Sequence, residues 1–456
     1  MRGGNKEQRG NQSVYPRGGG ESVQCAQHRP QLFSPAFTAL LAAQLFSLTG
    51  SAVARFALPL HLLNQTGSAA LYGTVAAIAF MPYILCMPIG GVAADRVRKQ
   101  RYMAALDALL ALVAIAYLMV SGALDAVAAA LAVLMLLYAG HAFYQPAVQA
   151  CVPSLVGRAC ITRAVALVSQ VSMLTAIVGP VLGGAVLGFF GIAPIMVTSA
   201  VLFGVSSALI ALFVRLPDEA GPAASVCSTF ATERGPRGSC GSMSSGGSPF
   251  VLFASDLRAA IAFLRHRPIM RRTIVFACLI NLVLAAGLTV GAPYIVTEHL
   301  GLPNQLMGVA EASMGAGGLV GGLLAAALSD RLPLARVPFL VLLTAIGLAP
   351  LSIALLLRVP APIAFAVMAC CLAWIFACCT CVTIVLTSYL QTETPHELVG
   401  KVIAFFYAAV NCATPMGQLV FGLAFDACSP ALIEVLMLLA MLSIAALMRL
   451  SYRRIM

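Results

Sequence analysis

Charge is scarce in this chain. Only 9% of its 456 residues are charged, and just 16 are acidic. Helices uncharged on every side must be buried, and one soluble core cannot enclose as many apolar stretches as this chain carries, so an ordinary soluble domain is excluded. Tryptophan is reduced to Trp374, which suits a sugar cargo less well, since a sugar would want more polar partners and stacking aromatics. No GxxxxGK[ST] run occurs, which excludes ATP hydrolysis through that loop. Short segments of strict apolar–polar alternation are missing, which excludes a β-barrel. No cleavable leader is expected, because the first 34 residues are polar, Gly-rich and basic and a full-length span follows.

What the chain has instead is apolar residues, 61% of the total, in long uninterrupted runs. A bilayer core takes roughly 20 apolar residues per helix. On that measure the sequence predicts spans near 36–63, 71–94, 102–121, 126–149, 165–189 and 193–214. A second set follows near 274–297, 306–328, 337–357, 362–391, 402–425 and 431–448. Every Lys and Arg except Arg55 and Arg358 falls in alternate gaps on one side of this series. The positive-inside rule then places both termini and the middle loop in the cytoplasm, with the chain in the cell's inner (plasma) membrane.

The expected organisation is a disordered cytoplasmic head over 1–35, a six-helix half over 36–214, a linker over 215–268, a second half over 269–450 and a short tail over 451–456. The linker is rich in Gly, Ser, Pro and Arg, and its end, 256–267, reads as an amphipathic helix at the membrane surface. The two halves repeat: Gly73 and Gly308, Asp95 and Asp330, and Pro180 and Pro415 are each 235 positions apart. Repeated six-helix halves are a transporter signature.

Gly90-Gly91-Val92-Ala93-Ala94-Asp95-Arg96-Val97-Arg98-Lys99 resembles the loop motif of the major facilitator superfamily, matching at Gly91, Asp95, Arg96 and Lys99. Gly179-Pro180-Val181-Leu182-Gly183-Gly184 resembles the end of that family's antiporter motif. Thr66-Gly67-Ser68, Pro146 and Gly400-Lys401-Val402 are similar to the branch of macrolide efflux pumps and catecholate-siderophore exporters. The resemblance covers about 36–450. It implies an all-α membrane protein of twelve transmembrane helices in two pseudo-symmetric halves, with alternating access. It also implies that Asp95 links the halves on the cytoplasmic side, with Asp330-Arg331 as a degenerate copy. The plainer reading of Asp95 and its basic cluster is an insertion stop signal. For Gly179, Pro180, Gly183 and Gly184, a rocking interface and ordinary close helix packing remain alternatives.

Polar side chains are costly in lipid and should face the bundle interior. Helical spacing aligns Gln44, Ser47, Ser51 and Arg55 in the first span, and Tyr138, His141, Gln145 and Gln149 in the fourth. It aligns Thr380, Thr383, Thr387 and Gln391 in the tenth; Asn281 and Thr289 lie in the seventh, Asn411 and Gln418 in the eleventh. The resemblance implies that spans one, four, seven and ten line a central cavity. The remaining walls are apolar, which suits a bulky amphipathic cargo. Arg55 either serves cargo or coupling, or is structural. His141 reads as a structural histidine or a proton carrier. Asp107 and Glu311 are the other proton candidates. Asp107 is near the inner boundary, within reach of a loop arginine; Glu311 and Glu434 are near enough to the outer boundary for hydration to compensate them. Cys378 and Cys381 have CxxC spacing, but cysteine in an apolar helix is a small hydrophobe, so neither metal nor cofactor is expected. The run 315–322 reads as helix packing, not a nucleotide loop.

Together these features predict a non-enzymatic, monomeric exporter of a hydrophobic or amphipathic small molecule, exchanged for protons, with the lipid bilayer but no nucleic acid as partner. Multidrug or macrolide resistance is the leading role. A siderophore or metabolite exporter, and a non-transporting membrane sensor, are the alternatives.

Overall fold

The computed structural model describes residues 34–96, 98–122, 125–156, 160–214, 249–328, 332–395 and 398–453. Among the described residues, twelve helices are long and apolar enough to cross a membrane. The first half holds α1 (Pro35–Thr66), α2 (Ala69–Arg96), α3 (Lys99–Val120), α4 (Ala126–Leu155), α5 (Ile161–Phe190) and α6 (Ile192–Phe213). Next come α7 (Pro249–Arg265), α8 (Pro268–Ile280) and α9 (Ala286–Tyr294), then α10 (Asn304–Ala327), α11 (Val337–Leu356), α12 (Ala361–Glu393), α13 (Val399–Ala427) and α14 (Pro430–Arg453). Helices α8 and α9 are one span, Pro268–His299, interrupted by π-helical turns at Asn281–Ala285 and Ile295–His299.

Several helices overrun the apolar stretches that predict them, because caps end a helix and hydropathy does not. Ser34 Oγ accepts from the Phe37 N–H at 3.2 Å with Pro35 opening α1, and Gly67, at φ 63°, closes it in the left-handed region. Gly301 adopts φ 62° in the corresponding loop of the second half. Satisfying backbone polar groups inside each segment is what lipid demands. Lipid also accounts for the exposure of large apolar side chains such as Met119 at 75% and Leu323 at 73%.

The halves meet along two seams, α2 against α13 and α5 against α10. Helix α7 begins earlier than its amphipathic stretch suggests and packs on α2, α8 and α13, burying Ala260 and Leu264. Asp330, Arg331, residues 1–33 of the head and residues 215–248 of the linker lie outside the described residues; Gly91, Asp95 and Arg96 fall in the last turns of α2, where only the backbone is described.

Candidate transport cavity

A cavity of about 230 Å³ lies where the two halves face each other. Its walls come from both: Arg55 and Phe56 on α1, Tyr72 on α2, Tyr138 on α4 and Pro180 on α5 face Thr289 on α9, Glu311 on α10 and Gln418 on α13. At 1.5 Å per residue, Arg55 lies about 18 Å along α1 from the Gly67 cap, and Glu311 about 10 Å into α10 from Asn304. The two charges therefore sit on opposite walls at different depths.

Arg55 is held by its own half. Its Nε donates to the Ser51 carbonyl at 3.4 Å, and its guanidinium lies 5.1 Å over the Tyr138 ring. A cation over an aromatic face recovers part of the desolvation cost of burial. An aromatic series continues from there: Phe80 meets Tyr138 edge-on at 5.3 Å and Tyr83 at 5.1 Å, and Tyr83 lies 5.8 Å from His141. His141 and Tyr83 are within electrostatic reach of Arg55, while Tyr72 and Tyr138 are within reach of Glu311. Tyr138 thus senses both charges, and among the described residues no ion pair joins them. Nε2 of Gln418 donates to Thr289 Oγ1 at 3.4 Å, leaving Gln418 Oε1 buried without a partner.

Other polar candidates are placed elsewhere. Gln44 is buried in the α1–α5 seam, donating to the Val168 carbonyl and to Ser172 Oγ, both at 3.3 Å. Among the described residues Asp107 does not meet a loop arginine. It is wholly buried between α1 and α6, where Ser47 Oγ stands 2.7 Å from Oδ1 and Ser206 Oγ 2.6 Å from Oδ2. Ser206 also donates to the Ala43 carbonyl at 2.9 Å, and the buried Tyr144 hydroxyl lies close by. Asn281 sits in the first π turn and donates to the Ala277 carbonyl of its own helix at 3.3 Å. Thr383 donates to Cys379 O at 3.0 Å and Thr387 to Thr383 O, so both serve their own turns of α12. Ser51 is buried with its hydroxyl unpartnered, and Gln145 and Asn411 are half-buried. Hydration does not compensate Glu434: it is 1% exposed, with Oε2 lacking a partner. Glu311 likewise lines the cavity instead of reaching the outer boundary.

The glycine motif of α5 serves two neighbours. A Cβ on Gly179 would stand 2.4 Å from Ala52 Cβ, and one on Gly183 2.8 Å from Phe56, so both face α1. One on Gly184 would stand 2.7 Å from the Asn304 carbonyl, across the seam. Gly308 answers from α10, its Cβ position 2.6 Å from Pro180 O. Asn64 Nδ2 donates to Asn304 Oδ1 at 3.0 Å, and Gly73 and Gly422 bring α2 and α13 into backbone contact. All these cross-half contacts gather toward the end of the bundle that carries Gly67 and Gly301.

Tyr72 is the lining residue that span-by-span reading passes over. It belongs to no polar stripe of the kind read in the other spans, and the packing of the halves brings it within reach of Glu311.

The model of the Major Facilitator Superfamily matches residues 40–418. Macrolide efflux protein A of Streptococcus pyogenes is 26% identical over 182 residues, 40% of this chain; the match spans 45% of that relative's length. Among solved structures, a bacterial homologue of the iron transporter ferroportin in an inward-facing state superposes with a TM-score of 0.66 at 15% identity, covering 91% of this chain and 98% of that one. A bacterial homologue of the human lysosomal transporter Spinster gives 0.63 at 14%, covering 92% and 94%, and a D-xylose–proton symporter gives 0.62 at 14%, covering 90% and 96%. At such identities the likeness is one of fold. The family match covers most of the chain and agrees with its twelve spans and two facing halves, and the chain belongs to the Major Facilitator Superfamily.

Proposed function

We propose that this chain is a secondary active transporter that exports a hydrophobic or amphipathic small molecule by alternating access in exchange for protons. The observation that carries the proposal is the cavity between the halves, with Arg55 and Glu311 on opposite walls and no ion pair between them. A carboxylate lining a membrane-embedded site is costly unless it is neutralised. Glu311 is therefore the group that takes a proton when cargo leaves and loses it when cargo enters. Arg55, fixed over Tyr138, supplies the positive field that orients cargo. Asp95 and Asp330 keep their proposed gating role, and both termini are assigned to the cytoplasmic side of the cell's inner membrane by the basic gaps. The partial similarity to Macrolide efflux protein A supports a drug-like cargo.

One feature favours a second reading, export of an anionic metabolite or siderophore: the fixed cation at Arg55. Everted vesicles separate the two. A radiolabelled macrolide should accumulate when a proton gradient is imposed and stop when an ionophore collapses it, and E311Q should remove that dependence. Gradient-driven uptake of an anionic catecholate with none of the macrolide would favour the second reading. Uptake of neither, with measurable binding, would indicate a sensor.

A further inference from the structure

Asp426 stands in the last turn of α13, in the second half, yet its hydrogen-bond donors belong to the first. Oδ2 accepts from Ser68 Oγ at 2.6 Å and from the Ala70 N–H at 3.1 Å, and Oδ1 accepts from the Ala69 N–H at 2.7 Å. Ser68 Oγ in turn accepts from the Leu71 N–H at 3.1 Å. The first-turn N–H groups of α2, which no residue of that helix can satisfy, are thus satisfied jointly by a local serine and a carboxylate from the opposite half. The carboxylate meets the positive end of the α2 dipole through charge-assisted bonds, which are the stronger kind.

The surrounding packing makes this contact specific to one arrangement of the halves. Just below the cap, a Cβ on Gly73 would stand 2.4 Å from the Gln418 carbonyl, and one on Gly422 2.9 Å from the Ala69 carbonyl. Backbone touches backbone there, so α2 and α13 cannot separate at this end without breaking all three bonds, whose distances leave under about 1 Å of slack.

We infer that Asp426 is a latch: it holds the Gly67 end of the cavity shut by capping α2, and it must release α2 before the cavity can open at that end. The inference rests on the alternating-access reading above. It adds the residue that sets the balance between the two states.

The test uses the full chain in lipid nanodiscs with two spin-label pairs at exposed positions. Gln65 and His299 report on the Gly67 end, and Ser154 and Thr392 on the other. Loss of a helix cap shifts an equilibrium by about two- to thirty-fold. D426A is expected to raise the long-distance population of the first pair by that factor and the short-distance population of the second with it. D426N keeps the volume and one acceptor oxygen but loses the charge and the second acceptor, so it should shift both pairs in the same senses by a smaller factor. G73A keeps Asp426 itself but forces the seam apart from the packing side, and serves as the reference for an opened Gly67 end. If G73A moves both pairs in opposite senses while D426A and D426N leave them at wild-type distributions, alternating access stands and the latch is overturned. If none of the three variants moves the pairs, both readings fall.

Discussion

Ser206 Oγ lies 2.6 Å from Asp107 Oδ2 and 2.9 Å from the Ala43 carbonyl, and its one hydroxyl hydrogen cannot serve both acceptors. The count closes when the carboxyl group brings a hydrogen of its own, donating to Ser206 while Ser206 donates to Ala43 and Ser47 donates to the other carboxyl oxygen. Separations of 2.6–2.9 Å are those of O–H···O bonds. The cluster then ties α1, α3 and α6 together as a neutral network apart from the cavity. Asparagine offers the same pattern of one acceptor and one donor. D107N is expected to melt within a few degrees of wild type and to keep gradient-driven uptake. D107A leaves buried hydroxyls without their partner and should cost about 1–3 kcal/mol, seen as a lowered melting temperature.

Glu311 separates from Asp107 on the same reasoning. It lines the cavity, and among the described residues no serine or arginine is bonded to it there. E311Q should abolish the response of uptake to an imposed proton gradient while cargo–cargo exchange across the vesicle membrane continues. Equal responses in E311Q and wild type would move the coupling role to another group.

Arg55 is expected to depend on the Tyr138 ring more than on its hydroxyl, because the contact is made to the aromatic face. Y138F should retain most uptake. Y138L removes an attraction of about 0.5–2 kcal/mol and should lower the apparent affinity for cargo by about two- to thirty-fold, and R55Q by at least as much. Saturation curves on equal amounts of inserted protein provide the measurement.

The glycines of α10 divide by what faces them. A Cβ on Gly321 would stand 2.2 Å from the Ala377 carbonyl of α12, whereas one on Gly322 would meet nothing within 4 Å. G321A is expected to destabilise the second half by about 1–3 kcal/mol through overpacking. G322A should be neutral or slightly stabilising, since alanine is the better helix former. Thermal unfolding of the two variants side by side checks the contrast.

How much of this was legible beforehand follows from what periodicity can and cannot say. The twelve spans were readable because lipid demands long uncharged segments. Arg55, Tyr138 and Glu311 were readable as candidates because polar groups in such segments are rare. Helical spacing names a face but not its neighbour: Gln44 and Ser47 share a stripe with Arg55, yet that stripe passes from the cavity into seams with α5 and α6. Glu434 is near a span end by position and still buried. Tyr72 and Asp426 depend on contacts with the opposite half, and Asp426 lies 357 positions from its partner Ala69, a distance at which no local pattern carries a signal.

Alternating access requires the cavity to be a passage reached from each side in turn. The most direct measurement places one cysteine at Ala76, on the cavity wall, in a cysteine-free background, and treats sealed vesicles of either orientation with a membrane-impermeant thiol reagent. At rest, the cysteine should react only from the side opposite Gly67 and Gly301, and imposing a proton gradient should add reaction from the Gly67 side. Reaction confined to one side under every condition, or found on neither, would contradict it.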